Sequence, residues 1–402
     1  MVEQGEQSGG IFDGLLAQGG NPFPIFAQLR KTAPVMKFPG DNGFWGIFKY
    51  DDCLRILRDP ETFSSMVDAR SIRGEKRPPT ILFDDAPIHT RMRGLISKAF
   101  TPRVIELQRE AIQANCDAMI GHMLESETAD FVDGLAYPLP VQVIAAMLGV
   151  QGGDMATFKR WSDAIIENVA TALIDDSQDA LAEINAEFDA YFTGQLDKLR
   201  AHREDNLLSE LIHAETEEGK LSSEDLLIIC RVLLVAGNET TTGLLVNLAR
   251  VFSEFPQVLA QVKENPSLIP GLIEETLRYY PPFPATIRRA MKDVELSGVT
   301  IPKGDRILVM LASANHDETA FERADEFIVD RAQNRHIGFG MGIHYCLGAP
   351  LARLEADVAL HTLLPRITAL TIESAEDDAL MRPGGPKALQ VRFEFDRSAA
   401  AV

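Results

Sequence analysis

The chain has 402 residues, 46% of them hydrophobic, which is ample for a large buried core. Its 39 Lys and Arg against 59 Asp and Glu give a formal net charge of −20. A chain this acidic lacks the basic footprint that binds nucleic acid, so nucleic acid is excluded as an expected partner.

The sequence carries no recognisable signal for secretion or anchoring. Its opening stretch, MVEQGEQSGG, lacks the charged-then-apolar layout of a signal peptide. The most apolar run, LLIICRVLLVAG, is interrupted by Arg231 and is shorter than the roughly 20 residues of a membrane span. We therefore expect a cytoplasmic protein without a membrane anchor.

Four cysteines are scattered along the chain, and none belongs to a CxxC pair. This spacing argues against a disulfide framework and against a structural zinc site. Cys53, Cys116 and Cys230 lie in helical patterns beside Leu and Ile, where cysteine behaves as a small buried hydrophobe. Cys346 differs, because it follows a glycine-rich loop.

The elements predicted along the chain are mostly helices. A helix in NPFPIFAQLRK precedes a hairpin, PVMKF and GFWGIFKY around a PGDNG turn, and then a short helix in DDCLRILRDP. Helical spacing dominates from about residue 90 to residue 270, before strand-like segments return in VELSGVTIP, DRILVML and ALQVRFEF. No linker divides the chain, so we expect one domain over residues 1–402, mainly α with small antiparallel β-sheets. About the first 20 residues are expected to be loosely ordered.

The segment from Ser222 to Pro256 predicts one long helix. Ser222 and Asp225 fit a capping box, and the roughly thirty residues before Pro256 span roughly 45 Å. The centre of the helix, AGNETTTG, weakens it, because glycine and threonine are poor helix formers. The hydroxyl of Thr240 can bond the carbonyl of Ala236, four residues back.

Two interpretations of this helix centre remain open. Its small residues, Ala236, Gly237 and Gly243, would let another helix pack closely. Alternatively, a groove there would hold water and a small ligand, with Glu239 and Thr240 supplying protons. A charged Glu239 within an apolar helix centre favours the groove, because a carboxylate is costly to bury.

A second candidate cluster lies in EETLR, where Glu275 and Arg278 are three residues apart and share a helix face. The apolar, proline-rich residues that follow can cover that face. A buried ion pair must then be fully hydrogen-bonded. Arg331 is the expected third member of this cluster.

Basic side chains gather in a few segments of this acidic chain. They are His89, Arg91, Arg93, Lys98 and Arg103, then Arg288 and Arg289 in TIRRA, and His344 in the glycine-rich loop. Each alone can be a solvated charge. Together they can bind the carboxylates of a large planar cofactor from several sides.

The loop GFGMGIHYCLGAPLAR, residues 338–353, has three interpretations: a phosphate cradle, a nucleophilic thiol, or a metal-binding thiolate. A phosphate cradle needs GxGxxG within a βαβ unit, which GFGMG does not match. His344 and Cys346 are only two residues apart, a poor arrangement for a catalytic pair at a helix start. A metal-binding thiolate is the third possibility, and backbone N–H groups at the start of the next helix would stabilise its negative charge.

Four motifs, in this order, resemble those of the cytochrome P-450 haem-thiolate enzymes, in particular the soluble bacterial monooxygenases. They are HTRMR, AGNETT, EETLR and FGMGIHYCLGAPLAR, and the resemblance runs from about residue 20 to the end. It implies the cytochrome P-450 fold, a triangular prism of helices around a buried haem b. It also implies a monomeric haem domain without a fused reductase.

The resemblance implies a role for each motif residue. Cys346 matches the axial thiolate of the haem iron. The other implied haem contacts are His89, Arg93, Ala236, Gly237, Arg288, Phe339, Gly340, His344 and Gly348. Gly340, Gly342 and Gly348 are expected to give the backbone room beside the sulfur and the porphyrin. Glu239 and Thr240 match the acid–alcohol pair that delivers protons, and the structural salt-bridge triad is matched by Glu275, Arg278 and Arg331.

The implied activity is oxygenation of an apolar small molecule. Electrons from NAD(P)H would arrive through a ferredoxin reductase and an iron–sulfur ferredoxin, and O2 would hydroxylate or epoxidise a terpenoid, steroid or fatty acid. Arg91, Lys98 and Arg103 are the expected dock for the acidic ferredoxin. A haem-thiolate peroxygenase and a non-catalytic haem sensor are the alternatives, and the acid–alcohol pair favours oxygen activation by electron transfer.

The expected substrate pocket is largely apolar. Its candidate residues are Ile81, Leu82, Phe83, Leu234, Val235, Ala236, Phe283, Ala285, Thr286 and Ile287. Arg382, in MRPGGP, is either a partner for a substrate carboxylate or a solvated surface charge.

Overall fold

The computed structural model describes residues 21–38, 44–67, 80–150, 154–172, 179–216, 219–376 and 384–395. Most of these residues are helical. The helices are α1 Phe23–Thr32, α2 Tyr50–Arg58, α3 Ile88–Ala99, α4 Pro102–Glu106, α5 Arg109–Met123, α6 Pro138–Met147, α7 Met155–Ala172, α8 Asp179–Ala201, α9 Leu207–His213, α10 Ser223–Glu254, α11 Pro256–Glu264, α12 Ile269–Tyr279, α13 Leu311–Ala314 and α14 Ala349–Leu363. A π-helical turn, Val132–Ala136, precedes α6, and a short 3-10 turn, Gly342–His344, lies in the loop before α14.

The strands are short. They are β1 Val35–Lys37, β2 Trp45–Ile47, β3 Phe63–Ser64, β4 Thr128–Asp130, β5 Glu215–Thr216, β6 Gly219–Lys220, β7 Thr286–Ala290, β8 Val294–Leu296, β9 Val299–Ile301, β10 Arg306–Val309, β11 Ala369–Glu376 and β12 Ala388–Glu394. One sheet has the order β1-β2-β10-β7-β3, and a second has the order β11-β12-β4. The prediction of a mainly α fold with small sheets is confirmed, although β2 and β10 pair in parallel within the larger sheet.

The predicted hairpin near the start of the chain is confirmed. Val35 on β1 lies opposite Ile47 on β2 in an antiparallel register, and the sheet continues through β10 and β7, from residues beyond 285, to β3. The PGDNG turn lies outside the described residues. The sheet therefore joins segments from the two ends of the sequence, as the strand pattern predicts.

The predicted long helix is confirmed as α10. Ser222 and Asp225 form the capping box at its start, and Pro256 begins α11 directly after it. Within the described residues it is the one helix long and apolar enough to cross a membrane. However, α10 packs against α6, α7, α12 and α14, and polar Asn238 and Arg250 are buried along it. These contacts make it a core helix.

Helix α14 carries the glycine-rich loop into the core. Pro350 lies in its first turn, where the missing N–H costs nothing, and its apolar residues pack against α5, α10 and α12. The residue before this helix, Gly348, is two positions after Cys346. The start of α14 therefore lies directly behind the cysteine.

Candidate functional site

The loop before α14 folds tightly around Cys346. The Cys346 amide donates to the carbonyl of Phe339 at 2.9 Å, and the Gly340 amide donates to the carbonyl of Ile337 at 2.9 Å. Gly340 and Gly342 have φ values of +69° and +71°, a region that favours glycine. Cys346 remains partly accessible, whereas the other three cysteines are buried, as their helical patterns predict.

The loop glycines do not all serve the sulfur. A Cβ on Gly348 would lie 3.9 Å from the Cys346 sulfur, which agrees with the expected close approach. A Cβ on Gly342 would instead collide with the backbone carbonyl of Leu57 at the end of α2. Gly342 is therefore needed for packing of the loop on α2, and the expectation that it makes room beside the sulfur is corrected.

Two opposing effects act on the Cys346 thiol. Burial raises its pKa, whereas the backbone N–H groups of Gly348 and Ala349 and the charge of Arg93 lower it, and the net shift is upward. The start of α14 therefore favours the thiolate but does not outweigh burial. A metal cation at the sulfur would supply the missing positive charge.

Basic side chains from three parts of the chain form what we call the basic cluster: His89 and Arg288, which are buried, and Arg93 and His344, which are partly exposed. The rings of His89 and His344 have centroids 4.1 Å apart. Burial lowers the pKa of His344 to about 3, helped by the charges of His89 and Arg288. Burial also lowers the pKa of Arg288 to about 10. The cluster therefore holds several groups that a nearby anion would stabilise in their charged form.

Three ring nitrogens of the basic cluster lack a hydrogen-bond partner in the described part of the chain, whereas Arg288 donates to the carbonyl of Ile287 at 2.7 Å. Among the described residues, both ring nitrogens of His89 and Nε2 of His344 are buried without a hydrogen-bond partner. Unpaired buried polar atoms are costly and usually have a specific partner. A buried ligand with carboxylates would provide one. Haem b offers carboxylates to this cluster and iron to the Cys346 sulfur, so the residues present fit that cofactor.

The centre of α10 has one accessible face. The hydroxyl of Thr240 donates to the carbonyl of Ala236 at 2.7 Å, as predicted, yet α10 continues as a helix through this point. Ala236 is exposed, and Glu239 and Thr240 are partly exposed. These three residues share a face by their spacing of three and four. The accessible face agrees with the groove interpretation of this segment.

Gly237 belongs to a different face of α10. A Cβ on Gly237 would lie 2.7 Å from Cδ1 of Ile144 on α6. The glycine therefore permits close packing of α6 on α10. The close-packing interpretation applies to this face, and the groove stays a prediction for the face that carries Ala236, Glu239 and Thr240.

The structure brings Glu275, Arg278 and Arg331 together. Arg278 donates to both carboxylate oxygens of Glu275, at 2.9 and 2.8 Å, and Arg331 donates to the same carboxylate at 3.0 Å. Glu275 and Arg278 are completely buried, and Asn334 and the Ile328 amide complete the hydrogen bonds of the carboxylate. This is the fully bonded arrangement that a buried ion pair requires.

The predicted substrate-pocket residues fall into two groups. Leu82, Ala236 and Phe283 are exposed, and the partly exposed ones are Phe83, Val235, Thr286 and Ile287. Ile81 is buried, and its backbone hydrogen-bonds to His344. Leu234 and Ala285 are 0% and 7% exposed and pack within hydrophobic core clusters, so their assignment to a pocket is corrected. Arg382 lies outside the described residues.

One member of the expected ferredoxin dock is engaged elsewhere. The guanidinium of Arg91 donates to the carbonyl of Lys220 at 2.8 Å and pairs with Asp225 at 3.4 Å. Asp225 is the capping residue of α10, so Arg91 stabilises the start of that helix. Lys98 and Arg103 are exposed.

A charged network beside the cysteine loop was missed by the sequence analysis. Arg353 on α14 donates to both oxygens of Glu274 on α12, at 2.6 and 2.9 Å, and its guanidinium lies 4.6 Å from the centre of the Phe339 ring. Nε2 of His336 also bonds Glu274, at 3.1 Å. The sequence signals were the first Glu of EETLR and the Arg of PLAR, which the motif comparison left without a role.

A second missed contact lies directly beside the acid–alcohol pair. Asn238 donates to the hydroxyl of Ser162 on α7 at 2.9 Å, and both residues are fully buried. The hydroxyl of Thr242 donates back to Asn238 at 3.3 Å. This bond fixes α7 to the centre of α10. A single Asn within AGNETT gave no sequence signal for it.

A groove of about 490 Å³ opens next to the cysteine loop, and we call it the cysteine-side groove. Phe339, Met341 and Tyr345 of the loop form one wall, and α2 forms another. Two exposed arginines, Arg58 and Arg335, line it. Asp51 and the paired Glu274 and Arg353 also line it. Arg58 and Arg335 therefore give the groove a small excess of positive charge on the side of the molecule that carries Cys346.

Comparison with known proteins finds relatives over nearly the whole chain. The family model described as Cytochrome P450 matches residues 11–386. Cytochrome P450 109 of Bacillus spizizenii is 39% identical over 386 residues, covering 93% of this chain and 92% of the relative. Cytochrome P450 monooxygenase PikC of Streptomyces venezuelae is 35% identical over 392 residues, with coverages of 94% and 92%.

Solved structures agree with the sequence relatives. Cytochrome P450 CYP109Q5 from Chondromyces apiculatus has a TM-score of 0.84 at 35% identity, covering 94% of this chain and 96% of that one. CYP109E1 from Bacillus megaterium in complex with corticosterone has a TM-score of 0.84 at 33% identity, with coverages of 94% and 99%. The predicted fold is confirmed.

Proposed function

Because the chain belongs to the cytochrome P450 family, we propose that it uses O2 and two electrons from a ferredoxin to hydroxylate or epoxidise an apolar small molecule. The family implies a haem-iron cofactor and a monooxygenase activity. The proposal rests on the buried nitrogens of the basic cluster, which have no hydrogen-bond partner among the described residues and can bind carboxylates. The partly accessible Cys346 lies in the same fold.

Haem held by a cysteine thiolate activates O2, because the thiolate donates electron density that favours cleavage of the O–O bond. Cys346 is the proposed ligand through its sulfur. His89, Arg93, Arg288 and His344 are the proposed partners of the haem carboxylates, since they gather in one cluster in which ring nitrogens of His89 and His344 are buried without a partner among the described residues. The backbone N–H groups at the start of α14 reduce the cost of negative charge on the sulfur.

Glu239 and Thr240 are the proposed proton carriers. The Thr240 hydroxyl, which now bonds the Ala236 carbonyl, can rotate to hold a water on the accessible face of α10 and pass a proton through it. Glu239 is partly exposed and can exchange protons with solvent. The reaction uses two protons, one oxygen atom enters the substrate, and the other leaves as water.

The proposed substrate is a large apolar molecule, with steroids first among the terpenoid, steroid and fatty-acid classes. The structural relative CYP109E1 was solved in complex with corticosterone and, in another crystal, in complex with testosterone. Exposed Leu82 and Phe283 offer apolar contact area to such a ligand. Titration of the haem spectrum with steroids, checking for a low- to high-spin shift, tests this class.

The proposed electron donor is an acidic iron–sulfur ferredoxin, itself reduced by NAD(P)H through a ferredoxin reductase. Arg58 and Arg335 in the cysteine-side groove, rather than Arg91, are its proposed contacts, because Arg91 is bound to Asp225. The protein is proposed to act in the cytoplasm as a monomeric haem domain that depends on this separate donor.

Reconstitution with haem and isotopic labelling tests the function. The reduced protein with carbon monoxide should give the spectrum of a thiolate ligand, and the Cys346→Ser variant should lose it. With ferredoxin, reductase, NAD(P)H and 18O2, the product of a substrate that shifts the spectrum should contain one 18O atom. Turnover with hydrogen peroxide alone would favour a peroxygenase, and haem binding without turnover would favour a sensor.

A further inference from the structure

The turn that leads into β12 lies on one face of α10. A Cβ on Gly384 would lie 2.6 Å from Cγ of Glu239, and a Cβ on Gly243 would lie 3.4 Å from Cα of Gly384. One turn further along the helix, a Cβ on Gly385 would lie 3.3 Å from Cγ1 of Val246. Residues 239, 243 and 246 are four and three apart, so they form one stripe along the helix. The backbone at Gly384 and Gly385 therefore runs along α10 at contact distance.

The contact at Gly384 covers the end of the Glu239 side chain. A Cβ on Gly384 would lie 3.3 Å from Oε1 and 3.4 Å from Cδ of Glu239, so the carboxylate itself rests against this turn. The next residue along α10 is Thr240, the proposed partner of the carboxylate. The orientation of Glu239 beside Thr240 therefore depends on a backbone that has no side chain at this point.

We propose that Gly384 is a positioning residue for Glu239, because its missing side chain leaves the space that the Glu239 side chain occupies. The inference rests on the proposed role of Glu239 in proton delivery. Nothing in the motif AGNETT points to residue 384, which is separated from it by about 140 residues of sequence.

A methyl group at this position should move Glu239 rather than unfold the protein. The three atoms nearest to the added Cβ all belong to the Glu239 side chain, which is flexible and partly exposed. Rotation about its χ angles relieves the overlap more easily than a shift of α10 or of the turn. The carboxylate would then leave its present position against the turn at Gly384.

The test compares Gly384→Ala with a control that has the same backbone strain. Gly384 has a φ of +77°, and Gly298, in the turn between β8 and β9, has a φ of +79° with nothing within 4 Å of an added Cβ. Gly298→Ala therefore carries the cost of an alanine at positive φ without the contact. We expect both variants to bind haem with the wild-type spectrum. Only Gly384→Ala should lower the product formed per NAD(P)H severalfold and raise the hydrogen peroxide released.

A double variant links the effect to Glu239. Glu239→Gln should uncouple the reaction, and adding Gly384→Ala to it should cause little further loss, because the side chain to be positioned is already inactive. An equal additional loss would overturn the proposal. So would wild-type coupling in Gly384→Ala.

A crystal structure of Gly384→Ala provides a readout that does not depend on turnover. We expect Glu239 in a different rotamer, with α10 unmoved; an unchanged Glu239 would overturn the inference. If the wild-type protein transfers no oxygen, the proposed function fails while this structural comparison still decides whether Gly384 positions Glu239.

Discussion

His89 and His344 affect the stability of the protein differently with and without a bound anion. Both ring nitrogens of His89 and Nε2 of His344 have no partner among the described residues, and burial lowers the pKa of both imidazoles, with Arg93 adding to the effect on His89. A carboxylate ligand would accept their hydrogen bonds and offset the nearby positive charges. Such residues lower the stability of the ligand-free protein and form hydrogen bonds when the ligand is bound.

The variant His89→Leu should therefore have opposite effects on folding and on haem binding. The apoprotein should melt at the same or a higher temperature, because two unpaired polar atoms are removed from the interior. Haem affinity should fall about 10- to 100-fold, since a hydrogen bond to a charged group contributes about 1.5–3 kcal/mol. Calorimetry of the apoprotein and the rate of haem loss to a scavenging protein measure the two effects.

The control for this prediction is His122→Leu, because the side chain of His122 is 85% exposed on α5. It should leave haem loss unchanged. A His89→Leu variant that retains haem as well as the wild-type protein would remove His89 from the proposed set of carboxylate partners.

At the scale of elements, α10 is fixed to its neighbours by contacts that only small or polar residues allow. Gly237 admits Ile144 of α6, and Asn238 bonds Ser162 of α7. The two contacts lie directly before the proposed acid–alcohol pair, Glu239 and Thr240. The contacts with α6 and α7 on other faces of α10 therefore fix the position of its accessible face.

The variant Gly237→Ala should destabilise the protein by about 1–3 kcal/mol, the usual cost of overpacking a core. The added methyl group would lie 2.7 Å from Cδ1 of Ile144. Ile144→Val removes that atom and should restore part of the loss. Chemical denaturation of the single and double variants measures the coupling.

Gly94→Ala is the matched control, because Gly94 lies within α3 with nothing within 4 Å of an added Cβ. It should stabilise the protein by up to about 1 kcal/mol, since alanine favours a helix. If Gly237→Ala also stabilised the protein, the close packing of α6 on α10 would have no energetic role.

The ion pair between Glu274 on α12 and Arg353 on α14 should make the stability of the protein depend on pH. Burial raises the pKa of Glu274, but the hydrogen bonds from Arg353 and His336 outweigh it and bring the pKa to about 2, below its usual 4.5. The stabilisation is therefore complete above pH about 4.5 and is lost as the pH falls towards 2. The melting temperature of Glu274→Gln should lie below that of the wild type at neutral pH, and the gap should narrow on acidification.

Glu264→Gln, at an exposed position at the end of α11, serves as the comparison and should show no such change in the gap. A gap between Glu274→Gln and the wild type that stays constant with pH would mean that Glu274 contributes through packing rather than charge.

At the scale of the whole molecule, local sequence patterns predicted the helices and the motif residues but not the contacts between residues far apart in sequence. The 32 residues of α10 and its capping box follow from spacing and end signals, and the motifs contain three of the four residues of the basic cluster, His89, Arg93 and His344. The contact of Gly384 with Glu239 joins residues far apart in sequence, and nothing near either residue encodes it. Leu234 was misplaced because an apolar residue beside a groove and one in the core look alike in sequence.

The net charge of the protein affects how an acidic electron-donor protein can approach it. With a net charge of −20, the molecule as a whole repels an acidic protein, so attraction must come from a local positive surface. Arg58 and Arg335 provide one in the cysteine-side groove. The two contributions respond to salt with opposite signs: screening a general repulsion speeds association, whereas screening a local attraction slows it.

Reduction by an acidic ferredoxin should therefore become slower as salt is raised, if the groove guides docking. Arg58→Glu should lower the second-order rate constant about tenfold at low salt, and the difference from the wild type should shrink at high salt. Stopped-flow reduction of the haem across a salt series measures both. Lys303→Glu makes the same change in charge at an exposed position outside the groove and should have a much smaller effect. Equal effects of the two variants, or a rate that rises with salt, would mean that the net charge and not the groove governs the encounter.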